Sequence, residues 1–204
     1  MNSITQLAYK DGKLFVAGLS NEEFSSAMWT FTYPFKKDVT ATTVEVYHGV
    51  HDRYETHSPV RAFIPYEFNG TDHILAAYLC TPLVTFPLTS LENGAHVKGK
   101  TIAELGSGSI PIDIISLDYK DKKMLIMSNT QLPLMTFNVA DIESYKGSIT
   151  KPVESFVAGI SYQARASGGV QQIDNFDDEY IVATRRTSSG KLELAALRKV
   201  WLVQ

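Results

Sequence analysis

The residues best suited to chemistry form one stretch, Tyr47-His48-Gly49-Val50-His51-Asp52-Arg53-Tyr54-Glu55-Thr56-His57. Three of the chain's five histidines fall within it, beside Asp52 and Glu55. Neutral imidazole nitrogens and carboxylate oxygens are the usual donors to zinc, copper, iron or nickel. His48, His51 and His57 are therefore candidate metal ligands, and Arg53 is a candidate grip for an anionic group. On an extended segment His48 and His51 would face opposite sides, because strand side chains alternate. A shared site thus requires Gly49 to turn the chain. The competing reading is a polar connection in which Arg53 pairs with Glu55 while the histidines cap turns or stack.

Asn21-Glu22-Glu23 lie in a connection that is longer than its counterparts elsewhere in the chain. Two carboxylates beside an amide oxygen suit a hard cation such as calcium, although solvation of a loop explains them equally well. Arg165 and the pair Arg185-Arg186 sit near strand ends. They are candidate anchors for an anionic ligand, or ion-pair partners for Asp177, Asp178 and Glu179. Cys80 ends an apolar strand. It reads as an inert thiol, since nothing marks a general base or an oxyanion donor beside it, His73 included. The Gly106-Ser107-Gly108-Ser109 stretch lacks the Gly-Lys-Ser/Thr ending of a phosphate loop and runs into Ile110-Pro111 without a helix. Met124, Met127 and Met135 have the spacing of strand core.

The elements that must position these residues follow one recurring pattern: an apolar strand, a turn, and a run of small and apolar residues leading to another turn and strand. It is clearest at VRAFIPYEFNGTDHILAAYLCTPLVTFPL, from Val60, and recurs from Ile4, Ile112 and Val170. Thr81-Pro82-Leu83-Val84-Thr85-Phe86 matches Leu132-Pro133-Leu134-Met135-Thr136-Phe137 most closely. A period near fifty residues with about four strands per repeat predicts β-propeller blades, at roughly 3–57, 58–108, 109–167 and 168–204. The first repeat turns at Lys10-Asp11-Gly12-Lys13, an Asp-Gly hairpin. Ala17 and Gly18, like Ala76 and Ala77, fit an inner strand near a crowded axis. The third repeat is expected to close through Ile142 to Phe156. The fourth supplies three strands at most: 170–175, 180–185 and 192–203. Apolar spacing follows period two or short continuous runs, so no ordinary amphipathic helix is expected and the class is all-β.

The totals set limits. At 204 residues and 44% hydrophobic, the chain can bury a sizeable core. A net charge of −3, with charges mixed, argues against nucleic acid as a partner. The longest apolar runs, such as 74–88, contain Pro82 and Pro87 and fall short of a membrane span. One cysteine excludes an internal disulfide framework. The chain is expected to be soluble as written, cytoplasmic if Met1 is native and periplasmic if it is a fragment of a secreted precursor.

Three segments, ITQLAYKDGKLFVAGLSNEEF, VEVYHGVHDRYETHSPVRAFIPY and LAAYLCTPLVTFPL, resemble the C-terminal half of a bacterial propeller family related to the YVTN and quinoprotein-like group. The resemblance implies propeller architecture and carries over no catalytic residues. Only Trp29 and Trp201 are present, so the repeated tryptophan docking motif of quinoproteins is missing and bound pyrroloquinoline quinone is not implied. The first expectation is a non-catalytic propeller that binds a protein or small molecule. It would be completed by an N-terminal half-propeller chain or a second copy, because an open half-ring leaves an apolar blade face at each end. The second is a metal-dependent enzyme, hydrolytic or redox, built on His48, His51 and His57 with help from Glu22 or Glu23.

Overall fold

The computed structural model describes residues 3–80 and 82–204; Met1, Asn2 and Thr81 lie outside them, and so does the Thr81 end of the Thr81–Phe86 match. The chain is all-β, with its strands in several sheets, none closed on itself. Sheet one carries β1 (Gln6–Lys10), β2 (Lys13–Leu19), β3 (Ser26–Thr32) and β4 (Val39–His48) in chain order, and β4 turns tightly into β5 (Arg53–Glu55). Sheet two follows with β6 (Val60–Phe68), β7 (Thr71–Tyr78) and β8 (Pro82–Pro87). The chain then leaves to place β9 (His96–Lys98) on sheet one, and returns as β10 (Lys100–Leu105). Sheet three holds β11 (Pro111–Tyr119), β12 (Lys122–Asn129) and β13 (Leu134–Asn138). After α1 (Val139–Ser144) and β14 (Val157–Gly159), β15 (Gln163–Arg165) is its fourth strand. Sheet four has β16 (Val170–Asn175), β17 (Tyr180–Arg186) and β18 (Leu192–Arg198), followed by the short α2 (Lys199–Leu202).

Local sequence sets the hairpins. Asp11-Gly12 (φ 49° and 77°) and Asn69-Gly70 (φ 51° and 71°) form the two-residue turns that left-handed residues favour. They pin the registers at Lys10 opposite Lys13 and Phe68 opposite Thr71. Tyr119 likewise faces Lys122 around Lys120, at φ 56°.

Because side chains alternate, each inner sheet has an apolar row on both faces, and three cores result. Phe15, Met28, Val44 and Val46 of sheet one pack on Phe63, Ile74, Val84 and Phe86 of sheet two. The other face of sheet two, with Leu75, Leu83 and Leu105, packs on Ile114, Leu125, Met127, Met135 and Phe137 of sheet three. The far face of sheet three, with Leu117, Met124 and Ile126, packs on Val170, Ile173, Ile181 and Ala183 of sheet four. All three methionines are core, as their spacing predicts. Ala76 and Ala77 face the first and second cores respectively from β7, the second strand of its sheet, and Ala17 faces the first from β2. These small residues thus sit in the joints between sheets, while Gly18 lies against the Ser3 backbone, where a Cβ would stand 2.0 Å from Ser3 O.

The outer edges are covered by a repeated device. β9, from the connection between β8 and β10, pairs parallel with β4 at the edge of sheet one. β14, from the connection between β13 and β15, pairs antiparallel with β10 at the edge of sheet two. The C-terminal segment returns to the edge of sheet three, where Arg165 donates to the Leu202 and Gln204 carbonyls. β9 and β14 thus cover the backbone edges of sheets one and two with strands from the following connection. This corrects the expectation that 142–156 closes the third repeat. Asn138 caps α1 by accepting from Ala140 N, the chain then wanders to β14, and only β15 completes the sheet. The last strand also ends sooner than expected, at Arg198, where α2 begins.

Candidate functional site

The first strands β1, β6, β11 and β16 line one open cleft of about 990 Å³. A polar chain links them. Gln6 accepts from Phe63 N at 2.6 Å and donates to Asp113 Oδ1 at 3.2 Å. Asp113 accepts from Ile114 N through the same oxygen and from Ile173 N through Oδ2, both at 2.9 Å. One glutamine and one aspartate thereby tie four sheets together. Burial raises the Asp113 carboxyl above its usual range, while these amide donors oppose the rise. Nothing in the sequence set Gln6 or Asp113 apart from other polar strand residues.

The histidine stretch forms the β4–β5 hairpin. His51 N donates to His48 O at 3.1 Å, and Asp52 takes φ 50°. This turn brings together the two imidazoles that an extended strand would separate; their ring centroids lie 3.8 Å apart. Register does the rest. Glu55 pairs with Val46, and Tyr54 with Tyr47. Directly opposed residues share a face, so Glu55 lands beside His48 while the two tyrosines meet on the other side. Glu55 Oε1 lies 2.6 Å from His51 Nδ1, 3.3 Å from His48 Nδ1 and 3.4 Å from Arg53 Nε. The Glu55 carboxyl is held down to about 2, chiefly by the His48 hydrogen bond, against the cost of burial and with His51 adding to it. On the opposite side of the ring, His48 Nε2 is 3.6 Å from Glu104 Oε2. Glu104 is fully buried, and its Oε1 accepts from Gly49 N at 2.7 Å. Burial raises its carboxyl above the usual range, with nearby His48 opposing.

His48, His51 and Glu55 each offer a donor atom, all within 4.8 Å of one another. These are the residues that could hold a metal. Both features of the competing reading are also present, since Arg53 pairs with Glu55 and the imidazoles stack. His57 is not among the three; its Nδ1 lies 2.9 Å from Ser25 Oγ. The spacing of histidines alone suggested His57 over Glu55, whereas hairpin register selects Glu55.

The other candidates are dispersed. Glu22 and Glu23 are exposed and border a groove with Phe24 and Trp29, while Asn21 lines an apolar surface with Trp29 and Phe31. Arg165 is taken up by the C-terminal carbonyls and by Gln163. Arg185 pairs with Glu193 at 3.4 Å. Asp177 instead caps its own turn, accepting from Glu179 N and Tyr180 N. Cys80, half-buried at φ 60°, follows the end of β7, whereas His73 sits near that strand's start and approaches Thr71 O at 2.8 Å. Ser109 is buried in the Gly-Ser stretch, which runs into strand β11. Sequence reading also passed over Glu45, a buried carboxylate paired with Lys98 at 2.7 Å and His96 at 3.2 Å across the β4–β9 seam. No protein-family model matches this chain, and no curated protein matches it.

Proposed function

We propose that this chain is an open run of four β-propeller blades that works as a binding scaffold, and that a second copy closes the ring. One observation carries the reading. Sheets one to four stack in chain order through three apolar joints, and the two end faces stay uncovered. On sheet one Leu14, Val16, Trp29 and Phe31 line an open apolar hollow of about 830 Å³ with Ile4, Leu7 and Phe35. On sheet four Leu192 is 55% and Leu194 77% exposed. Every internal joint sets the trailing face of one sheet on the leading face of the next. The free leading face of sheet one and the free trailing face of sheet four are therefore the same two kinds of surface. Two copies related by a two-fold axis would repeat that joint twice and leave neither face bare.

The cleft where the first strands converge is the natural ligand seat, for a small molecule or a protein loop, because it is concave and mixes apolar walls with Gln6 and Asp113. The resemblance to YVTN and quinoprotein-like propellers supports the same architecture. Light scattering on protein purified without chelators tests closure. The expected particle has twice the 22.6 kDa of one chain. A monodisperse particle of one chain's mass overturns the second copy as partner, and a discrete complex formed only with a different chain would reassign that role. The runner-up is a metal-dependent enzyme, hydrolytic or redox, which would be built on the His48–His51–Glu55 cluster.

A further inference from the structure

We propose that His48, His51 and Glu55 form a site for a late first-row divalent metal ion, zinc foremost, and that buried Glu104 positions His48 from behind. The site does not depend on propeller closure.

The donor set selects the class of ion. Two imidazole nitrogens and one carboxylate oxygen suit zinc, cobalt, nickel or copper, whereas calcium and magnesium prefer oxygen alone. Donors around a tetrahedral zinc lie roughly 3–3.5 Å apart, given bonds of about 2.0–2.2 Å. Glu55 Oε1 is already 3.3 Å from one Nδ1 and 2.6 Å from the other, so small side-chain rotations suffice. His51 is 39% exposed, so an ion can reach the cluster from solvent on that side.

The independent observation lies on the opposite side of the His48 ring. His48 is 1% exposed and Glu104 fully buried, yet His48 Nε2 and Glu104 Oε2 both lack a hydrogen-bond partner while facing each other at 3.6 Å. With His48 donating through Nδ1 to Glu55, a neutral ring presents a lone pair at Nε2 to a carboxylate. A metal on Nδ1 reverses this. The ring proton must then sit on Nε2, and the two orphaned atoms become donor and acceptor. A carboxylate behind a ligating histidine is the usual support for such a ligand, fixing its tautomer and raising its basicity. Glu104 is itself aimed by Gly49 N, within the turn that brings the histidines together.

The test uses the full chain, stripped with chelator and dialysed. Zn2+ is titrated by calorimetry, and Co2+ binding is followed through its visible absorption bands. One equivalent of each ion is expected to bind. His51→Ala and Glu55→Gln should each weaken binding by at least about tenfold. Glu104→Gln should weaken it about 10–100-fold, the usual range for such a support, and change the Co2+ spectrum. His57→Ala should bind as the parent does. Far-UV circular dichroism checks the fold of each variant, and exposed His51 is the substitution least able to disturb it. Three results overturn the proposal: no saturable binding, binding that survives both His51→Ala and Glu55→Gln, or binding lost only in His57→Ala.

Discussion

At the scale of single residues, the informative side chains are the buried carboxylates, because each is placed to compensate for its own desolvation in a different way. Asp113 draws on backbone amides from two sheets and on Gln6. Glu104 draws on the Gly49 and Val50 amides, while its Oε2 faces His48 without a hydrogen bond. Glu45 relies on Lys98 and His96 of β9. Burial alone would raise its carboxyl, but Lys98 and His96 outweigh that and bring it below the ordinary 4.5. The sign of the linkage follows. A folded-state value below the unfolded one contributes stability that is fully present above the unfolded value and is lost as pH falls through the folded one. The Glu45 contribution to the parent's urea midpoint should therefore decline on acidification below about pH 4.5. Glu45→Gln should be the less stable protein at pH 7, and the difference should shrink in acid. A gap that stays constant with pH would show that the Glu45 pairing contributes nothing.

At the scale of elements, the backward-reaching strands distinguish this chain from a plain series of meanders. β14 has three residues and makes its whole contribution at the edge of β10. It can lie there because Gly159 takes φ +78° and has no side chain; a Cβ would stand 2.2 Å from Ile102 O. Both the left-handed backbone and the close approach require glycine. Gly159→Ala should cost about 1–3 kcal/mol, the range for a side chain forced into strained backbone or an overpacked site. The loss should be local, appearing as faster hydrogen exchange at Ile160 N, which donates to Ile102 O. Unchanged exchange there would mean that the edge strand is held by something other than this approach. The same logic explains why 142–156 misled a reading by period. Those residues are the end of α1 and an irregular connection, and the strand that follows them, β14, belongs to the preceding sheet.

At the scale of the whole molecule, three apolar joints hold four sheets in series, and Leu7, Leu192 and Leu194 of the two end sheets are exposed; the proposed closure would bury such residues. Leu194 separates the closed ring from the open chain. At 77% exposure its replacement by aspartate should hardly affect an isolated chain, but a charge at a closed joint would be desolvated without a partner. Association also makes melting temperature depend on concentration. The parent should melt higher as concentration rises, whereas Leu194→Asp should melt at one temperature and have the mass of a single chain. Concentration-independent melting of the parent would remove the case for closure.

The sequence by itself determined the all-β class, the strand starts near 4, 60, 112 and 170, the tight Asp-Gly turn, and the methionine core. These depend on short-range rules: alternation of side chains, and the few residues that tolerate left-handed backbone. The same rules drew attention to the histidine stretch, but they could not choose its members. Tertiary structure decided that Glu55 joins His48 and His51 while His57 turns to Ser25, because cross-strand register, not sequence distance, sets which side chains share a face. It also brought Glu104 to Gly49, and so behind His48, from a strand 55 residues away, and Asp113 to Gln6 from 107 away. Those meetings come from packing one sheet on the next, which no local pattern encodes.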